Sequence, residues 1–200
     1  MSRFFKFFQD SQPAVFVFSL FILSACTASF NWREIQSEEH GYLALFPAKT
    51  SSEQKTIVYE GQSFPMIMRA SQAGDALFAV GTIVLDPSFK DSHQFLEWLQ
   101  NSAAQVIRTA SVPVLEKTQT RIALQKDEKV PVTGFQLEGL GPDQKQRIYW
   151  VRWIYRIDES GKPKIFQLSA IQTVPSTLSA QQRKVITEEF LTFMNGFHPY

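Results

Sequence analysis

The stretch Ala76 to Leu85 constrains the fold most, because Leu77, Phe78, Val80, Ile83 and Val84 place large apolar groups at both odd and even positions. Successive side chains of a strand point to opposite faces, so a strand of this composition needs cover on both sides. A sheet with one face open to water cannot hold it. The segment is expected to be a central, fully covered strand.

The chain before it reads as strands joined by tight turns. Asn31 to Gln36 has strand character around Trp32 and Ile35, and a polar turn from Ser37 to Gly41 leads into the apolar Tyr42 to Phe46, ended by Pro47. These two strands read as a hairpin, with the proline unable to donate to a ladder. Lys55 to Tyr59 and Phe64 to Ala70 form a second pair around Glu60-Gly61-Gln62, so this half of the chain looks like an antiparallel meander.

At Asp91 the period changes. Asp91 and Gln94 make a capping-box-like start, and Phe95, Leu96, Trp98, Leu99, Ala103, Val106 and Ile107 follow at helical spacing, predicting a helix over about Asp91 to Thr109. Strands resume at Pro113 to Thr120, Val130 to Glu138, Lys145 to Ile157 and Lys164 to Ile171. The last two are joined through Asp158-Glu159-Ser160-Gly161. A second helix begins at the capping pair Ser179 and Gln182, carries Val185, Ile186, Phe190, Phe193, Met194 and Phe197 along a stripe, and stops at Gly196. The expected fold class is α+β: an antiparallel β-sheet meander packed against two helices that cover one face. No internal repeat or linker divides it, so residues 31–200 form a single domain.

The segment before Asn31 has a different organisation. Arg3 and Lys6 precede Ala14 to Leu23, a run whose one polar side chain is Ser19, and Leu23-Ser24-Ala25-Cys26 closes it with the one cysteine of the chain. A spanning helix needs about 20 apolar residues, and this run is half that, so the layout is that of a cleaved signal peptide. Leu23-Ser24-Ala25-Cys26 resembles the lipobox of bacterial lipoproteins. The resemblance implies diacylglyceryl attachment to the Cys26 sulfur, cleavage after residue 25, and membrane attachment through the lipid. Thr27-Ala28-Ser29-Phe30 is then a short tether, on the order of 14 Å when extended. In such lipoproteins an aspartate after the cysteine acts as an inner-membrane retention signal. Thr27 therefore implies the outer membrane, with the domain facing the periplasm.

Without Arg3, Lys6 and Asp10 the remaining chain carries 18 basic and 18 acidic residues. A net charge of zero leaves no basic excess to neutralise phosphates, which argues against nucleic-acid binding. With Cys26 acylated no thiol remains, so a disulfide framework, a thiolate metal site and a cysteine nucleophile are excluded.

The order of elements, opening on Trp32 and Gly41-Tyr42-Leu43-Ala44-Leu45-Phe46-Pro47 and ending in a phenylalanine-rich helix, resembles the PsbP-like (DcrB) fold family over roughly residues 31 to 197. That resemblance implies a non-catalytic accessory or assembly protein and transfers no functional residue. Catalytic motifs point the same way. Gly61-Gln62-Ser63-Phe64-Pro65 lacks the second glycine of a nucleophile elbow and runs into a strand. His40, His93 and His198 show no ligand spacing, Glu38-Glu39-His40 reads as solvated turn charge, and no nucleotide-binding glycine motif is present. The expectation is therefore no enzyme, no cofactor and no metal. The partner is expected to be another envelope protein, with a small-molecule or lipid ligand as the alternative.

One binding surface stands out. In Lys145 to Ile157, alternation sets Tyr149, Val151, Trp153, Tyr155 and Ile157 on one side, the natural core face. Ile148, Trp150, Arg152, Ile154 and Arg156 lie on the other, expected to be partly open to water. Trp150, Arg152 and Arg156 are the candidate contact residues for a partner or an anionic ligand, since Trp and Arg are enriched at binding hot spots.

Overall fold

A computed structural model describes residues 30–107, 116–122 and 128–200. The signal segment, the lipobox and most of the tether therefore lie outside the described residues. The elements follow in the order β1 (Arg33–Ser37), β2 (Tyr42–Phe46), β3 (Ser51–Tyr59), β4 (Gln62–Ala73), β5 (Ala76–Val84), α1 (Ser92–Ala104), β6 (Glu116–Arg121), β7 (Lys129–Leu140), β8 (Gln146–Ile157), β9 (Pro163–Thr173), α2 (Ala180–Asn195) and β10 (His198–Pro199). The fold class is α+β, as the periodicities predict.

Two sheets form rather than one meander. The main sheet has seven strands in the order β3-β4-β5-β9-β8-β7-β6, with every neighbouring pair antiparallel. The expected first hairpin, β1 and β2, stands apart and takes β10 as a third strand. The chain thus makes two antiparallel halves, β3 to β5 and β6 to β9, that meet where β5 pairs with β9. Ala76 to Val84 is a covered strand: seven of its nine residues are buried, and the exceptions are Leu77, its second residue, and Val84, its last.

The helices lie on opposite faces of the main sheet, which corrects the expectation of one covered face. Even positions of β5, β8 and β9, including Phe78, Val80, Ile148, Trp150, Ile154, Phe166 and Leu168, share one apolar cluster with Ile186, Phe190, Phe193 and Met194 of α2. Odd positions, including Ile83, Tyr149, Val151, Trp153 and Ile165, share another with Phe95, Leu99 and Ala103 of α1. The physical reason is the double-faced composition of the central strands. With large side chains alternating to both sides, one helical layer leaves the other face wet, at a cost of about 25 cal/mol per Å² of apolar surface.

The small sheet roofs part of the α2 face. Tyr42, Ala44 and Phe46 are buried, with Phe46 set 5.7 Å from Phe193 and Tyr42 6.2 Å from Phe166, centroid to centroid. The chain leading into β1 also belongs to the core. Phe30 stacks on Trp32 at 6.0 Å, both rings meet the edge of Phe78, and the Trp32 indole donates to Glu189 Oε2 at 3.2 Å.

Capping separates the helices. Ser179 and Gln182 form the reciprocal capping box, whereas Asp91 sits at the N-cap of α1 with no side-chain capping bond. The helix also ends at Ala104, short of Thr109, so Val106 and Ile107 follow it as irregular chain. Gly196 does terminate α2, but with φ −83° rather than a left-handed turn. The position is tight instead: a Cβ there would fall 2.6 Å from Leu45 Cδ1, where β2 crosses the helix end and Leu45 N–H donates to Gly196 O at 3.2 Å.

Candidate functional site

Trp150, Arg152 and Arg156 do occupy one face of β8, but that face is the one beneath α2. Trp150 is only 8% exposed and belongs to the core cluster, with Ile148 and Ile154 buried on either side. The expectation of a face partly open to water is corrected for Ile148, Trp150 and Ile154, which are buried in the cluster that Phe190 and its helix complete, while Arg152 and Arg156 stay part-exposed. Arg156 lies six residue steps along the strand from Trp150, about 20 Å, too far for one small ligand to touch both.

The two arginines have separate settings. Arg156 lies opposite Lys164 in the β8–β9 register, half-buried, with Nη1 enclosed and lacking a hydrogen-bond partner. Beside it, Lys164 bonds Asp158 at 3.0 Å, both side chains nearly enclosed. Arg152 reaches the last turn of α2, where its guanidinium donates to Asn195 Oδ1 at 3.1 Å. Burial pushes its pKa down, and the charge of Glu116 pushes back.

Gly134 explains how Arg152 gets there. It stands opposite Arg152 in the β7–β8 register, and a Cβ on it would fall 2.5 Å from Val151 O and 2.8 Å from Arg152 Cγ. Only a glycine lets the arginine stem lie across β7 at that point.

Arg152 belongs to a cleft of about 220 Å³ between β6, β10 and the end of α2. Val132, Ile154 and Leu168 make an apolar floor; Thr118, Thr120, Arg121, Asn195 and His198 make a polar rim. The Thr120 hydroxyl donates to Phe197 O at 3.0 Å and lies 3.5 Å from His198 Nδ1. Burial lowers the His198 pKa, as does the Arg121 charge, against a hydrogen bond to the Arg121 backbone and the charge of Glu34. The imidazole is therefore neutral at pH 7.

Arg121, Thr118, Thr120 and His198 were not singled out as a group by sequence, and no local pattern could have done so. Arg121 and His198 meet only because β10 runs past the end of β6 on the far side of the chain. His198 is half-buried in that cleft. A second opening, about 360 Å³, lies at the N-terminal end of α2, lined by Val174, Pro175, Leu178, Val185 and Ile186 with glutamines at its edge.

Among the described residues, no group of three or more His, Cys, Asp or Glu side chains is placed to hold a metal ion. No helix among them is long and apolar enough to cross a membrane. No protein-family model matches the chain, and no curated protein matches it.

Proposed function

We propose that the chain is a lipid-anchored cell-envelope lipoprotein, acylated at Cys26 and held on the outer membrane, whose domain is a non-catalytic docking or assembly module facing the periplasm. The observation that carries this reading is Leu23-Ser24-Ala25-Cys26 directly after the apolar run, followed within four residues by packed structure. Phe30 and Trp32 rest on Phe78, so only Thr27, Ala28 and Ser29 separate the acylated residue from the core. A tether that short keeps the α2 side of the domain near the bilayer. The filled apolar clusters on both sheet faces favour a docking role over a hollow carrier, and the apolar opening beside Val185, itself 44% exposed, supplies a patch suited to a protein partner. An antiparallel sheet flanked by helices is also in keeping with a PsbP-like accessory protein.

Cross-linking in intact cells followed by membrane extraction tests this reading. Wild-type protein is expected to yield a defined cross-linked envelope protein, and Cys26→Ser protein to appear in the soluble fraction without it. A ligand-binding module is the second reading, favoured by the polar-rimmed cleft at Arg152.

A further inference from the structure

We propose that the cleft between β6, β10 and the end of α2 binds the anionic end of a small molecule, a carboxylate or a phosphate, through Arg152 and Arg121 with His198 and Thr118 as directional partners. This goes beyond docking and does not depend on acylation of Cys26.

The strongest element is Arg152. A guanidinium presents five N–H donors. Here it is half-buried, and among the described residues the one side-chain acceptor bonded to it is the neutral amide oxygen of Asn195. Among the described residues no carboxylate lies within ion-pair distance of it. Arg183, exposed on the first half of α2, shows the contrast, with both terminal nitrogens on the Glu138 carboxylate. A desolvated cation gains most from a charged acceptor, and a fork of parallel donors matches a carboxylate or phosphate edge.

The surroundings fit a ligand of that size and sign. A volume of about 220 Å³ holds the space of roughly seven waters, enough for a small organic acid or a phosphate ester. An apolar floor of Val132, Ile154 and Leu168 under a polar rim is the usual build of a small-molecule site. Opposing charge is weaker. The C-terminus of α2 contributes about half a negative charge, less than either arginine alone. Glu116 is exposed and lines an adjoining cleft that Arg152 also lines, where its charge acts on Arg152 from beyond ion-pair distance, and Glu34 acts on His198 from β1.

Calorimetric titration of the full chain in neutral detergent, at fixed ionic strength set with chloride, tests the site with inorganic phosphate and succinate as probes. The expected result is saturable one-to-one binding of at least one probe, weakened tenfold or more in Arg152→Gln and in Arg121→Gln, as expected for loss of a hydrogen bond between charged groups. The probe that binds tells phosphate from carboxylate. Arg121 is exposed and outside both apolar clusters, so Arg121→Gln keeps the test decisive if Arg152→Gln fails to fold. No saturable heat from folded wild-type protein with either probe overturns the proposal. So does wild-type affinity in Arg121→Gln. Either outcome leaves the anchoring at Cys26 untouched.

Discussion

Trp150 meets Phe190 edge to face, with ring centroids 5.6 Å apart and planes at 84°. That contact locks the α2 stripe onto the even face of β8, and Phe78 meets the same Phe190 ring from β5 at 5.7 Å. Phe190 is fully buried between two strands that are themselves two positions apart in the sheet. Phe190→Ala is therefore expected to cost about 3 to 5 kcal/mol, read by urea denaturation, and to leave Trp150 with a red-shifted emission as water reaches it. A near-unchanged denaturation midpoint would mean that α2 is not a structural layer.

Asp158 and Lys164 make a nearly enclosed ion pair at the β8–β9 turn. Burial pushes the Asp158 carboxyl up, but hydrogen bonds from Ser160, the Lys162 backbone and Lys164, with the Lys164 charge, outweigh it and hold the group well below the usual carboxylate range. A folded-state pKa below the unfolded 3.8 means the unfolded chain binds more protons in acid. Stability from this group is present above that value and lost as pH falls through the folded pKa. Lys164→Ala is expected at the low end of the roughly 3 to 5 kcal/mol for splitting a buried pair, because Ser160 and Lys162 still hold the carboxylate. Urea titrations at pH 7 and pH 3 are expected to show Asp158→Asn flattening the acid loss.

His198 gives a second pH signature with the same sign and a different window. Burial lowers its folded-state pKa below the ordinary 6.5, so the unfolded chain takes up the proton first. Its contribution is present above pH 6.5 and is lost as pH falls through the folded value. Melting curves between pH 8 and about pH 5 are expected to show this slope in wild type and a shallower one in His198→Gln. Identical slopes would place the imidazole in solvent.

Gly134 leaves room for one side chain in particular. Gly134→Ala is expected to destabilise by about 1 to 3 kcal/mol, since the new Cβ meets the rigid Val151 carbonyl rather than a movable side-chain tip. It is also expected to displace Arg152 from Asn195, which amide chemical shifts at the end of α2 would report.

The strand and helix periods were legible because each central segment states its own surroundings. Ala76 to Val84 announces cover on both faces by composition, and Ser179 with Gln182 announces a helix start that forms as read. What the same periods do not encode is which layer covers which face. Alternation in β8 separates Trp150 from Tyr149, yet both faces are apolar enough to be a core, and only the second helix on the far side decides that Trp150 is sealed. Arg69 in β4 and Arg156 in β8 illustrate a related limit: each keeps one enclosed nitrogen without a hydrogen-bond partner, a matter of tertiary enclosure rather than of residue type. The cleft was the least legible part. Its members come from β6, β7, β8, β9, α2 and β10, and nothing in the spacing of Arg121, Arg152 and His198 joins them.

Membrane anchoring is tested most directly by mass spectrometry of the N-terminal peptide from protein isolated out of the envelope. A chain that begins at Cys26, with a diacylglyceryl group on its sulfur, is the predicted result. A chain that retains residues 1–25, or begins at Cys26 with a free thiol, would contradict it.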